Sequence, residues 1–290
     1  MNRVEAFNEH RTLLFSISYR MLGSVMDAED MVQETFLRWQ RARDDEVRSP
    51  KSYLSTVVTR LCIDQQRSAR ARREQYVGPW LPEPIVTEEL PGPDEQLVLA
   101  DSLSMAFLVL LESLSPTERA VFLLREVFDY AYPEVARIVD KSEANCRQMV
   151  RRARQHIKER RPRFDASREQ AAQITERFLQ AAQTGDMDGL LDLLAEDVTL
   201  WSDGGGKVAA ALNPIYGASN VARLSIALAQ TRQTGFASRL LQVNGLPGVV
   251  IYQNGQPEAV IGAEIENGKI RAMRIVVNPE KLRSVPPLAQ

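Results

Sequence analysis

Two all-α domains followed by an α+β domain are what this sequence predicts, and three observations carry the prediction. Up to about residue 160, apolar side chains recur at three- and four-residue intervals, the spacing of a helix face. Residues 76–93, YVGPWLPEPIVTEELPGP, break that pattern with five prolines and two glycines in eighteen residues. The end of the chain reads as four strand-like runs, with Asn254-Gly255 and Asn267-Gly268 as hairpin signals. A length of 290 residues accommodates such a division.

In the first 75 residues, Leu13, Leu14, Ile17, Met21 and Leu22 mark one helix. Asp27 is expected to cap a second, which carries Met31, Val32, Phe36 and Trp39 on one side. Ser49-Pro50 starts a third, with an apolar stripe of Leu54, Val57, Val58, Leu61 and Cys62 opposite Arg60, Asp64 and Arg67. The proline-rich linker contains Trp80, Leu81, Ile85 and Val86, more apolar groups than a free spacer carries, so it is expected to lie against a surface. Helical spacing resumes with Leu97, Leu103, Phe107, Leu110, Leu111 and Leu114. Ser115-Pro116-Thr117-Glu118 has the form of a capping box. Pro133 opens a short helix, Asp140-Lys141 turns, and Ser142 caps a last basic helix with Cys146, Met149, Val150, Ala153 and Ile157 inward.

A short helix, a tight turn and a basic helix form a helix-turn-helix pattern. The outward side of the second helix presents Ala144, Arg147, Gln148, Arg151, Arg154 and Lys158, flanked by Asn145 and Arg152. Small, amide and Arg side chains near its start suit base edges, and the later cations suit phosphates. The bland alternative is a helical hairpin with a solvated basic face. Charge is distributed accordingly: residues 60–73 carry a net of +4, 74–140 a net of −10, and 141–163 a net of +7, within a chain of net −2.

Beyond Pro162, Ser167 starts an amphipathic helix and DMDGLLDLLAED forms a second. Val198–Trp201 is a strand, SDGGGK a loop, and 218–231 a helix; SRLLQV, GVVIYQ, AVIGAEI and KIRAMRIVV complete an antiparallel meander. The result is a cone-shaped α+β domain.

A hydrophobic content of 44% with 26% charged residues excludes wholesale disorder. No apolar run reaches the ~18 residues of a membrane span. The acidic, His-containing N-terminus does not read as a signal peptide. Cys62 and Cys146 read as reduced core thiols, and with only His10 and His156 a His-based metal site is not expected. The expectation is a cytoplasmic protein, monomeric when free, with no cofactor and no membrane partner.

DAEDMVQETFLRWQ (27–40), SPKSYLSTVVTRLCIDQQRS (49–68), LSPTERAVFLLREVFDY (114–130) and PEVARIVDKSEANCRQMVRRAR (133–154) together resemble the extracytoplasmic-function sigma factors. WLPEP, DGGGK (203–207) and NPEK (278–281) resemble the group with a fused C-terminal SnoaL-like (NTF2-like) domain. The resemblance implies sigma region 2 at 1–75, a linker at 76–95, region 4 at 96–163 and the SnoaL-like cone at 167–290. It implies core RNA polymerase (the β′ clamp and the β subunit) and promoter DNA as partners. Asp30, Gln33, Glu34 and Arg38 would meet polymerase, while Phe36 and Trp39 support the fold or rim the contact. Arg48, Lys51, Tyr53, Arg60 and Arg67 would receive the unstacked minus-ten strand, which needs a pocket and a basic groove; core packing is the alternative for Tyr53. Ser142, Ala144, Asn145, Arg147, Gln148, Arg151, Arg152 and Arg154 would read the minus-thirty-five duplex. Trp80, Leu81, Pro82, Glu83 and Pro84 would contact Asp203, Gly204, Gly205, Gly206 and Lys207 or Asn278, Pro279, Glu280 and Lys281, letting the fused domain regulate in cis.

Cones of this kind also host enzymes and bind small ligands. Asp203 is the candidate base, with Trp201, Tyr216 or Tyr252 lining a cavity; the alternative for Asp203 and Lys207 is a contact within the protein. The expectation is that the chain is not an enzyme, and a small ligand in the cone stays open. The competing function is a helix-turn-helix regulator fused to a ligand-binding or catalytic domain and acting without polymerase.

Overall fold

The computed structural model describes residues 2–43, 47, 49–73, 76–88, 102–158, 167–231 and 235–288, with side chains of 69–73 excluded. Arg48, Leu97 and linker residues 89–95 lie outside the described residues. The chain forms two compact units: 1–75 with 108–161, and 76–107 with 162–290.

The first unit is helical. Helix α1 (Arg3–Leu22) starts on the Asn2 side chain and stops at Gly23, whose φ of 67° is left-handed. Helix α2 (Val25–Arg41) is capped by Ser24, whose hydroxyl accepts from the Asp27 amide. The expected cap at Asp27 is therefore corrected: Asp27 is an acid of the first turn, where it meets the positive end of the helix dipole. Arg3 closes the other end of α2 by donating to the Trp39 and Ala42 carbonyls. Helix α3 (Pro50–Arg73) completes this part. Leu14, Ile17, Met21, Val32, Leu54, Val58 and Cys62 are buried between the three helices.

Helix α4 (Met105–Leu111) begins after Ser102–Ser104, which are turn and bend, so the helical spacing is interrupted at Leu103. Helix α5 (Pro116–Glu126) has the expected capping box of Ser115 and Glu118. Helix α6 (Tyr132–Val139) ends at Asp140, which takes the left-handed conformation (φ 53°) in place of the glycine common there. Helix α7 (Glu143–Lys158) buries Cys146, Val150, Ala153 and Ile157. Both cysteines are free and buried, and burial pushes the Cys62 thiol up to about 12, so it is inert. Helix α3 packs against α5 and α6 in the same unit. One contact is deep: Arg119 of α5, 1% exposed, donates to the Arg20 carbonyl and pairs with Glu112.

The second unit is an α+β domain. Helices α8 (Arg168–Thr184) and α9 (Met187–Leu193) precede strand β2 (Leu194–Asp203). After β3 (Ile215–Tyr216) and α10 (Ala218–Gln230) come β4 (Phe236–Val243), β5 (Leu246–Gln253), β6 (Gln256–Glu266) and β7 (Lys269–Val276). With β1 (Val86–Thr87) from the linker, the sheet order is β1-β4-β5-β6-β7-β2-β3. All pairs are antiparallel except β2 with β7. Phe178, Leu190, Val221, Ile251 and Met273 belong to the core between helices and sheet. Away from that core, Arg274 lies over the Trp201 ring and pairs with Glu264, while burial lowers its pKa to about 10.

Candidate nucleic-acid interface and linker clasp

On α7, Ala144, Arg147, Gln148, Arg151, Arg152 and Arg154 are exposed and Asn145 is half-buried, opposite the buried stripe. Ser142 accepts from the Asn145 amide and so serves the helix start. Three of the arginines are engaged. Arg147 bonds Glu143 (3.0 Å) and lies over the Tyr132 ring (4.8 Å). Arg152 bonds Glu118 (3.2 Å), and Arg154 makes a two-pronged pair with Glu126 (2.6 and 2.8 Å). Exposed pairs of this kind contribute about 0–1 kcal/mol, so a phosphate can replace the carboxylate cheaply.

On α3, a recess is lined by Arg38, Ser52, Tyr53, Thr56, Arg60 and Arg137, a basic pocket with one aromatic wall. Tyr53 packs its ring against buried Trp39 at 5.6 Å. Arg60 donates to the Ile138 (2.8 Å) and Arg137 (3.0 Å) carbonyls, satisfying the end of α6. Lys51 lies over the Tyr130 ring, whose hydroxyl shares a buried hydrogen bond with Ser55. Arg67 is exposed and pairs with Asp64. Along α2, Asp30, Gln33 and Arg38 are exposed, and Glu34 pairs with Arg38 at 2.9 Å. Met26 and Leu37, also exposed, fall on the same helical stripe as Asp30 and Gln33.

In the second unit, the linker is gripped by one carboxylate. Asp203, fully buried at the end of β2, accepts from the Leu81 amide (2.8 Å), the Tyr76 hydroxyl (2.5 Å) and Lys281 Nζ (2.7 Å). Lys281 also donates to the Leu81 carbonyl (2.5 Å) and lies over the Trp80 and Tyr76 rings at 4.5 and 4.9 Å. Asn278 donates to the Tyr76 hydroxyl (2.9 Å). Glycine is required here: at Gly205 (φ 57°) a Cβ would sit 2.8 Å from the Tyr76 hydroxyl and overlap Asn278. At Gly206 (φ 69°) it would crowd Val77. Leu81, Pro82, Glu83 and Pro84 are buried, and Ser284 reaches Glu83 at 3.5 Å. Further along, Asn244 in the β4–β5 turn exchanges two hydrogen bonds with Ile85 and donates to the Leu103 carbonyl.

The chain matches the family model for sigma-70 region 2 over residues 6–72 and that for sigma-70 region 4 over residues 104–157. It is 36% identical to the ECF RNA polymerase sigma factor SigJ of Mycobacterium tuberculosis, over 99% of this chain and 94% of that protein. It is 32% identical to the M. tuberculosis protein named "Probable ECF RNA polymerase sigma factor SigI", over 96% and 93% of the two chains. The crystal structure of M. tuberculosis SigJ superposes with a TM-score of 0.77 at 33% identity, covering 98% of this chain and 99% of that one. The chain belongs to the extracytoplasmic-function sigma factors. It directs RNA polymerase to promoters, and a regulator working without polymerase is not favoured, because the first helices match region 2.

In this sigma factor, DGGGK, NPEK and WLPEP come together, though unequally. Asp203, Asn278, Lys281 and Leu81 make the bonds, whereas Lys207 and Glu280 form an exposed pair at 3.2 Å. Gly204 needs its missing side chain for the turn, since a Cβ would meet the Val208 carbonyl and Ala210. Pro279 lines a cavity on the other side. The cavity expectation is corrected. Asp203, Trp201, Tyr216 and Tyr252 are all absent from the described lining of the cone cavity. Tyr216 is 63% exposed, Trp201 is under Arg274, and Asp203 has its oxygens occupied by the linker. Sequence reasoning missed Tyr76 and Asn244. The Asn244-Gly245 dipeptide is the same hairpin signal as the other two Asn-Gly pairs; nothing local marks Tyr76.

Burial, then the hydrogen bond to Asp203 and its charge, raise the Tyr76 pKa well above the usual ~10. A raised pKa means the neutral phenol is the stabilised form. Its contribution is complete below pH ~10 and is lost as pH climbs beyond that value. Tyr76→Phe is expected to destabilise the linker contact by about 1.5–3 kcal/mol at neutral pH. Hydrogen exchange of residues 76–88 checks this: the gap between variant and wild type should be full at pH 8 and shrink near pH 11.

Proposed function

We propose that the C-terminal domain regulates this sigma factor in cis by gripping the linker between regions 2 and 4. The observation that carries the reading is the buried Asp203–Lys281 pair closed around the Leu81 backbone. A linker tied over residues 76–88 sets how freely the DNA-reading helices can separate. Packing of α3 on α6 supports the need for separation, because Arg60 and Lys51 are occupied by region 4 groups. On promoter DNA, Arg60, Lys51, Tyr53 and Arg67 would turn to the minus-ten strand in the cytoplasm. The test is run-off transcription with reconstituted polymerase. Trp80→Ala with Glu83→Lys should change promoter output several-fold relative to wild type at equal core binding. Identical output would remove the regulatory role.

Region 4 supplies a second expected result. Arg147→Ala and Gln148→Ala should each cost about 1–3 kcal/mol on the matched minus-thirty-five sequence and much less on scrambled DNA. Arg151→Ala should weaken both equally and lower the salt slope by about one. Arg154→Ala combines phosphate loss with loss of its Glu126 pair, so thermal melting must accompany its binding assay. Equal losses on both DNAs for all variants would sink the division of roles.

A further inference from the structure

Between the sheet and helices α8 and α10 lies a cavity of about 600 Å³. Its floor is buried and apolar, made by Phe178, Ala182, Ala259, Met273 and Ile275. Its rim carries exposed Gln183, Gln253, Gln256 and Glu258. Among the described lining residues there is no Lys or Arg. The volume falls within the roughly 300–1,000 Å³ of small-molecule sites. An anion would meet a carboxylate and no cation there, whereas an uncharged molecule finds apolar walls and amides for one polar end.

The walls are shared with the linker clasp. Val277, Pro279 and Leu282 face the cavity, while Asn278 and Lys281, interleaved with them, hold Tyr76 and Leu81. Val208 and Ala209, which follow the DGGGK loop, are also part of the lining. A molecule filling the cavity therefore touches the 277–282 segment that grips the linker, and the residues that follow the DGGGK loop. It fits the walls as they stand in the clasped form, so it binds that form better than one in which 277–282 has shifted. Linkage makes the effect mutual.

We infer that the cavity binds a small, uncharged, apolar molecule with one hydrogen-bonding end, and that its occupant tightens the hold on the linker. The regulatory half rests on the clasp being the controlling contact.

The probe is Nile red, an uncharged apolar fluorophore with a carbonyl acceptor, titrated into the full-length protein. Saturable emission at one equivalent is expected, with 1-decanol displacing it at a tenfold lower concentration than decanoate. Ala182→Phe at the floor should weaken binding at least tenfold. Ala229→Phe, at a half-buried lining position, should do the same and serves if the first variant fails to fold. Saturating Nile red should slow hydrogen exchange of residues 76–88 at least threefold in wild type and not in Lys281→Met. No saturable binding, preference for decanoate, or indifference to both phenylalanine variants would overturn the site. A doubled mass in light scattering that abolishes the Nile red signal would assign the cavity to a second copy instead. Binding without slowed exchange would overturn the coupling. The clasp is judged separately, without probe: unchanged exchange in Lys281→Met would sink the clasp reading itself. Faster exchange there, with no Nile red binding to wild type, would sink only the ligand.

Discussion

Asp203→Ala is expected to release the linker, with the largest effect of any single change in the second unit. The carboxylate is fully buried and Lys281 is 13% exposed, so little water screens the pair. Removing one partner of such a pair costs about 3–5 kcal/mol, because the other charge stays buried without compensation. The Leu81 amide and the Tyr76 hydroxyl lose their acceptor at the same time. That loss is local to the linker and the ends of β2 and β7, so the core between helices and sheet around Phe178 and Val221 should persist. Residues 76–88 should then exchange amide hydrogens many times faster and become sensitive to protease. A double-mutant cycle of Asp203→Asn with Lys281→Met should return a coupling of about 1–3 kcal/mol. Coupling near zero would mean that the lysine grips the Leu81 carbonyl independently of the carboxylate. Run-off transcription with Asp203→Ala should change in the same direction as with the Trp80 and Glu83 double variant.

Charge reversal on α2, Asp30→Lys with Glu34→Lys, should abolish capture of core polymerase while leaving the helices intact. Asp30 is exposed and Glu34 pairs with Arg38 at the surface, a pair worth about 0–1 kcal/mol. Folding therefore loses little. Binding loses much if these acids face basic groups on polymerase, since like charges set against each other cost several kcal/mol. A penalty of about 3 kcal/mol is already a ~100-fold weaker complex. Exposed Met26 and Leu37 add apolar contact on the same stripe, so Leu37→Ala should weaken binding less, and without salt dependence. Co-elution with core enzyme at two salt concentrations separates these cases. Unchanged co-elution of the double variant would move the polymerase contact off this stripe.

The sequence by itself determined what depends on near neighbours along the chain. Helix faces followed from apolar spacing, as in Leu54, Val58 and Cys62. The starts of α5 and α8 followed from Ser115, with Glu118 three residues on, and from Ser167. The β5–β6 and β6–β7 turns followed from Asn254-Gly255 and Asn267-Gly268, which take the positive φ that such turns demand. The start of α2 was placed three residues late: Ser24, not Asp27, caps it, and its hydroxyl accepts from the Asp27 amide only in the realised backbone. Two-residue strands such as β1 and β3 escaped because two positions cannot display an alternation. The tertiary structure alone decided which polar groups meet. Asp203 and Tyr76 are 127 residues apart, and Asn278 and Tyr76 are 202 apart. No periodicity spans such distances, so Asp203 could be read from its residue type equally well as a base or as a clasp. Likewise Arg60 carries a free guanidinium in any local reading of α3. It becomes the cap of α6 only because packing brings the Ile138 carbonyl to 2.8 Å, where a desolvated helix end needs a donor.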